Sequence, residues 1–98
     1  MIKIVAKQYV KLNLINNYIE LMEELAAKTN QLDDACVEYA IFQDMKDPQI
    51  ITLIEEWESQ DALDKHMEAA HFKDIVPKLN AFYEKPGDVN FYHPAVIK

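Results

Sequence analysis

The sequence predicts an α+β fold with the ferredoxin-like order βαββαβ. Three observations predict it: runs with strand-like alternation, two stretches with helical periodicity, and an interleaved order without internal repeats. A chain of 98 residues with 50% hydrophobic content suits one compact core. We therefore expect a single domain over residues 1–98.

The first half of the chain predicts a strand, a helix and a hairpin. Residues 2–10 alternate apolar with polar side chains closely enough for a first strand. After Asn13, a possible helix cap, apolar residues recur every three or four positions as far as Thr29, which is typical of an amphipathic helix. The β-rich run at residues 36–42 and the apolar run at 50–54 then predict a hairpin.

The second half predicts a helix in two pieces and a last strand. Ser59 can cap a helix that begins beside it, and this helix is expected to bend near His71 or at Pro77. Pro86-Gly87-Asp88 then predicts a turn before a strand at residues 89–93.

The middle strands are expected to be apolar on both faces. In the second strand the two faces are predicted to carry Val37, Tyr39 and Ile41 on one side, and Cys36, Ala40 and Phe42 on the other. In the third strand Ile51, Leu53 and Trp57 are predicted to oppose Ile50 and Ile54. If the helices cover only one face, a second copy of the chain is the simplest cover for the other, so we expect a two-fold homodimer joined sheet to sheet.

Charge argues against several classes of partner. The formal net charge of −7 surrounds the molecule with a negative field, which repels phosphate backbones and anionic lipid surfaces. We therefore expect no nucleic acid and no membrane partner. The single cysteine, Cys36, cannot form an internal disulfide, which fits a reducing compartment and a cytoplasmic location.

Bound cofactors also find little support in the sequence. Gly87 is the only glycine, so the chain has no glycine-rich phosphate loop. Cys36, His66, His71 and His93 are scattered without the spacing of a metal site. We expect neither a metal nor another cofactor.

Several motifs together resemble the antibiotic biosynthesis monooxygenase (ABM) family, which includes quinol monooxygenases. The motifs are Trp57-Glu58-Ser59, Ala62-Leu63, His66, His71-Phe72, and Cys36 with Tyr39 in the second strand. The resemblance runs over nearly the whole chain and implies a dimeric α+β barrel. Ala35 departs from the family's pattern, which usually has glycine there.

The resemblance implies oxygenation of a quinol- or anthrone-like aromatic by molecular oxygen, without metal or flavin. A histidine in an apolar pocket between helices and sheet suits this reaction, because its ordinary pKa of about 6.5 allows it to take a proton near neutrality. His66 is the first candidate for this base, and a core histidine bonded to the backbone is the alternative. His71 is the second candidate, with a solvated helix end as its alternative.

Four further side chains are candidates for substrate binding. Trp57 offers a wall for stacking, Tyr39 a hydroxyl for a substrate oxygen, and Gln8 an amide on the first strand; Phe72 lies beside His71. Each also has an ordinary role in a core, a dimer interface or a strand edge. Strand alternation splits the acidic pair Glu55-Glu56 between faces, and we expect it at a solvated strand end.

Two other functions remain as alternatives. A related branch of the superfamily degrades haem, and its members look to have an Asn in the first strand, a Trp in the second helix and a haem-ligating His after it. At the corresponding positions this chain has Gln8, His66 and Val76. Without the ligating histidine, haem degradation is disfavoured. The protein could instead be a non-catalytic small-molecule-binding or stress-related dimeric barrel, because a fold does not determine an activity.

Overall fold

The computed structural model describes residues 1–96. Its four strands, β1 (Ile2–Val10), β2 (Cys36–Gln43), β3 (Ile50–Trp57) and β4 (Tyr83–Tyr92), form one antiparallel sheet in the order β2-β3-β1-β4. The helices are α1 (Ile15–Leu32), α2 (Gln60–Glu68) and α3 (Ala70–Ile75), with 3-10 segments at Leu12–Leu14 and Val76–Phe82. This order confirms the ferredoxin-like α+β prediction. Within residues 1–96, no helix is long and apolar enough to cross a membrane.

Helix α1 packs one apolar stripe onto the sheet. Tyr18, Met22, Leu25 and Thr29 are its buried residues, and their spacing of three and four positions places them on one helical face. Asn13 is not the cap that the sequence suggested, because it lies in the preceding 3-10 segment and no side chain caps α1. These residues belong to one hydrophobic core, which also contains Ile4 of β1, Ile51 of β3 and Leu63 of α2.

Helix α2 begins where the sequence predicted. The Ser59 hydroxyl accepts a hydrogen bond from the Ala62 backbone N–H at 3.2 Å, which satisfies one of the free N–H groups of the first turn. Ala69 has extended backbone and separates α2 from α3, so the chain bends two residues before His71. The buried side of α2 carries Leu63 and His66 towards the sheet.

The predicted turn at Pro86-Gly87-Asp88 is wrong, since these residues lie inside β4. Lys7 pairs with Asp88 while Tyr9 pairs with Lys85, so two residues of β4 lie opposite Gln8. Such a bulge accommodates a proline, which has no N–H to donate. A Cβ at position 87 would overlap the side-chain oxygen of Gln8 and lie 2.6 Å from the Lys7 carbonyl oxygen.

A second irregularity changes the faces of β2. Cys36 pairs with Trp57 while Glu38 pairs with Glu56, which leaves one extra residue in β2. Cys36 and Tyr39 therefore share the helix-facing side. The predicted grouping of Cys36 with Ala40 is wrong because the extra residue at the bulge interrupts the strict alternation of side chains.

The sheet face away from the helices is mixed rather than apolar. Ala40, Ile54 and Val5 form an apolar row across three strands. The rows beside it contain polar side chains, including Lys3, Lys7, Thr52 and Glu56. The prediction that both faces of the sheet are apolar is therefore wrong for this face, which has one apolar row between rows that contain polar side chains.

Candidate functional site

A cavity of about 240 Å³ lies between the helices and the sheet, at the place predicted for a pocket. Side chains from every strand and from α1, α2 and α3 line it, among them Ile4, Ala6, Gln8, Tyr39, Leu53, Glu55, Tyr18, Met22, Leu25, Leu63, His66 and Phe72. Most of this surface is apolar, and no lysine or arginine contributes to it within residues 1–96. The cavity therefore suits an apolar ligand that meets a few polar groups.

His66 is a buried wall residue of this cavity, only 2% exposed. Its Nδ1 lies 2.7 Å from the Asp33 Oδ2. Its ring packs on Trp57 at 4.5 Å between centroids and meets the edge of Phe72 at 5.0 Å. Because a carboxylate can only accept, Nδ1 carries the hydrogen and Nε2 keeps a free electron pair. Nε2 makes no hydrogen bond within residues 1–96.

Burial lowers the pKa of His66 below its ordinary value of 6.5, while the hydrogen bond and the charge of Asp33 act in the opposite direction. Burial dominates because the charged imidazolium would lose its hydration in this core. A lowered pKa keeps the imidazole neutral at pH 7, which is the form that can take a proton. The core alternative with a backbone partner does not describe this residue, since its partner is a carboxylate.

The same carboxylate holds the second candidate histidine. His71 Nε2 lies 2.8 Å from the Asp33 Oδ2, and His71 is buried rather than solvated. His71 does not line the cavity, although its ring lies 5.8 Å from that of His66. Asp33 was missed in the sequence because it is 33 and 38 residues away from its two partners. Only the fold brings these three side chains together.

Asp33, His66 and His71 also form a possible metal-ligand set, since their ligand atoms all lie within 4.8 Å of one another. Histidine spacing did not reveal this cluster. The two O···N distances of 2.7 and 2.8 Å are hydrogen-bond lengths. Ligands on zinc, with bonds of about 2.0–2.2 Å, lie roughly 3 Å or more apart. The present arrangement is therefore a hydrogen-bonded network, and an ion would require Asp33 to move away from both rings.

Glu55 is a second polar group of the site, and its prediction as part of a solvated strand end is wrong. It is 8% exposed and lines the cavity, whereas a solvated strand end was expected. The Trp57 Nε1–H donates to its Oε1 at 2.9 Å. Burial raises the pKa of Glu55 to about 7, against the opposing effect of this hydrogen bond. The signal was present in the alternation, because Glu55 lies two residues before a core tryptophan and shares its face.

The four predicted substrate-binding residues separate into two groups. Tyr39, Gln8 and Phe72 line the cavity. Trp57 does not line it; this fully buried ring packs behind His66 and holds Glu55. Burial raises the pKa of Tyr39 above its ordinary value, so its phenol stays protonated and can donate a hydrogen bond.

Comparison with solved structures places this fold among known relatives. A crystal structure described as an antibiotic biosynthesis monooxygenase is 34% identical, with a TM-score of 0.89 and coverage of 98% of this chain and 100% of that one. A conserved protein from Methanosarcina mazei is 32% identical, with a TM-score of 0.85 and coverage of 93% and 89%. A protein from Mycobacterium tuberculosis shares the fold at 18% identity, with a TM-score of 0.88 and coverage of 98% and 96%.

A search of curated proteins found no match. The family model described as antibiotic biosynthesis monooxygenase matches residues 1–78, which include β1, the hairpin and the aromatic rings that contact His66. Together with the 34% identical structure of the same description, this match shows that the chain belongs to the antibiotic biosynthesis monooxygenase family.

Proposed function

We propose that the protein is a cofactor-independent monooxygenase that oxidises a quinol- or anthrone-like aromatic with molecular oxygen. The observation that carries this proposal is the setting of His66. Its ring is fixed by Asp33 and Trp57, and its unpaired Nε2 belongs to a residue that lines an apolar cavity. A neutral base beside a buried phenol is what the reaction requires of the protein.

In this reaction the protein binds the substrate, orients it, removes a proton from it and excludes water. His66 takes the phenolic proton, which raises the electron density of the aromatic ring. The apolar wall formed by residues such as Leu25, Leu53 and Leu63 excludes water while oxygen reacts with the anion. The substrate supplies the electrons, so the proposal names no metal or flavin.

Three cavity residues support a bound aromatic in this proposal. The Tyr39 phenol donates a hydrogen bond to a substrate oxygen, the Gln8 amide lies at the strand side of the cavity, and Phe72 packs against the ligand. His71 is a positioning residue in this scheme, because it reaches His66 through Asp33 and does not line the cavity. Trp57 supports the base from behind.

The proposal includes a homodimer in the cytoplasm. The sheet face away from the helices has an apolar row at its centre, and Phe42 on that face is 51% exposed. A second copy would cover such side chains.

Oxygen uptake tests the function directly. Protein treated with a chelator is mixed with 1,4-dihydroxynaphthalene or anthrone, with catalase present, and uptake is compared with the protein-free rate. We expect uptake above that rate, and a fall of roughly 10²–10⁴-fold in His66→Asn, whose amide still donates to Asp33 but cannot act as a base.

Lys65→Asn is the matched control, because Lys65 is the exposed neighbour of His66 on α2. It should leave uptake unchanged. Circular dichroism of both variants checks that they are folded. Wild-type uptake equal to the protein-free rate would reject oxygenation of these substrates, and saturable binding without turnover would then favour the non-catalytic binding alternative.

A further inference from the structure

Glu55 is a carboxyl group inside an apolar cavity that the mechanism above does not use. It pairs with Ile4 of β1 and Tyr39 of β2, so its side chain projects from the middle of the sheet towards the helices. Within residues 1–96 no lysine or arginine lines the cavity to neutralise it. An isolated buried carboxylate is costly, so the group is retained there at the expense of stability.

One oxygen of Glu55 is occupied and the other is free. The Trp57 Nε1–H donates to Oε1 at 2.9 Å, while Oε2 makes no hydrogen bond with any residue that the structure describes. The Trp57 ring also packs against His66 at 4.5 Å. One tryptophan thus holds both the base and the carboxyl, which fixes their positions relative to each other.

The side chains around Glu55 offer no compensating positive charge. The titratable groups that face it or share its cavity are Cys36 and Tyr39 of β2, His66 of α2, Tyr18 of α1 and Tyr83 of β4. Burial lowers the pKa of His66 and raises those of the three tyrosines, while the pKa of Cys36 is raised to about 11. All are uncharged near pH 7, so the cavity favours the protonated carboxyl.

We infer that Glu55 is the second proton-transfer group of this cavity, an acid that donates from Oε2 to an oxygen of the ligand while His66 acts as the base. This inference rests on the proposed function and deepens it. Two groups whose environments favour opposite protonation states are the usual arrangement for paired acid and base catalysis.

The reaction can be written with this pair so that atoms and electrons balance. His66 removes the phenolic proton, oxygen adds to a ring carbon that bears hydrogen, and the peroxide takes the proton back from His66. His66 then removes the hydrogen of that carbon as a proton while the O–O bond breaks and a C=O bond forms. Glu55 gives its proton to the departing hydroxide, and the His66 proton restores Glu55.

The sum is the loss of two hydrogens and the gain of one oxygen by the substrate, with one water released. The substrate gives four electrons and molecular oxygen accepts them. The pair also narrows the substrate class, because His66 needs a phenolic hydroxyl and Glu55 needs an oxygen that can accept a hydrogen bond. An aromatic with two such oxygens, as in a quinol or a hydroxyaryl ketone, meets both requirements.

Glu55→Gln tests this assignment, since its amide oxygen can still accept from Trp57 but it cannot transfer a proton. In wild type we expect oxygen uptake to fall as the pH rises above about 7, where Glu55 loses its proton. In Glu55→Gln we expect a fall of about 10²-fold at pH 6.5 and no such alkaline decline. Glu56→Gln, on the opposite face of β3, should behave as wild type.

A binding measurement keeps this test separate from that of the oxygenase. Quenching of the fluorescence of Trp57, the only tryptophan, reports binding of 1,4-naphthoquinone, whose carbonyls accept hydrogen bonds. Wild-type affinity should weaken about tenfold between pH 6.5 and 8.5, and that of Glu55→Gln should not change over this range.

The two proposals fail in different ways. Loss of the pH effect in Glu55→Gln without oxygen uptake by wild type would retain Glu55 as the donor and reject the oxygenase. Active wild type, with Glu55→Gln equal to it in rate and pH dependence, would overturn the role of Glu55 alone.

Discussion

Asp33 determines how two buried histidines are oriented, although it ends a helix and touches the cavity only through His66. Its backbone N–H closes α1 by donating to the Thr29 carbonyl, and its Oδ2 meets His66 and His71 at 2.7 and 2.8 Å. A residue that ends α1 thus also orients the candidate base on α2. This arrangement fixes the His66 ring before a ligand arrives, which is the pre-organisation that proton transfer needs.

The ionisation of Glu55 makes a prediction for stability. Its folded pKa of about 7 exceeds the ordinary value of 4.5, so the folded state binds more protons between these two values. Wild type should therefore lose stability as the pH rises through this window, and the full cost should persist above it. Glu55→Gln should be more stable than wild type by roughly 3 kcal/mol at pH 8.5, and by less than about 1 kcal/mol at pH 5.

Urea unfolding at the two pH values measures this difference. Glu56→Gln is the control, because Glu56 lies on the other face of β3 and should show no comparable gain at high pH. Equal stabilities of wild type and Glu55→Gln at pH 8.5 would mean that Glu55 is solvated rather than buried among apolar side chains.

At the level of elements, two bulges separate the structure from its sequence pattern. The strand and helix order follows from periodicity, and the Ser59 cap follows from its chemistry. Pro86 and Gly87 predict a turn because both residue types are common in turns, and no local pattern indicates that they form a bulge opposite Gln8 of β1. The position of Asp33 beside the histidines depends on long-range contacts, which periodicity cannot supply.

Gly87→Ala tests the close approach at this bulge. The added methyl group would overlap the Gln8 side chain and crowd the Lys7 carbonyl oxygen. We expect a loss of about 1–3 kcal/mol in the free energy of unfolding, measured by urea denaturation. Asn80→Ala, at an exposed position of the 3-10 segment before this strand, should change it by less than about 0.5 kcal/mol. A variant at position 87 as stable as wild type would argue against this register.

The whole molecule presents a polar helical side and a mixed sheet side. Its net charge of −7 disfavours anionic partners, whereas the apolar row on the sheet favours a neutral surface of matching shape. A second copy of the chain offers such a surface through two-fold symmetry, in which the same patch meets itself. Lysine and glutamate side chains beside that row would form the rim of the interface.

Sedimentation tests the assembly. Wild type should sediment at twice the chain mass of 11.4 kDa. Phe42→Glu should shift it towards a single chain, because a charge at this half-exposed position of the sheet face would be buried without a partner. Leu12→Glu, at a 68% exposed position on the 3-10 segment, is the control and should remain a dimer. Single chains in wild type at micromolar concentration would rule out the homodimer.

The fate of oxygen tests the central claim most directly, namely that the cavity around His66 carries out monooxygenation. Metal-free protein is incubated with 1,4-dihydroxynaphthalene under ¹⁸O₂, and the number of ¹⁸O atoms in the product is determined by mass spectrometry. The account predicts a hydroxyquinone with one ¹⁸O atom, formed faster than without protein and slowly in His66→Asn. An unlabelled quinone accompanied by hydrogen peroxide would show simple oxidation and would contradict it.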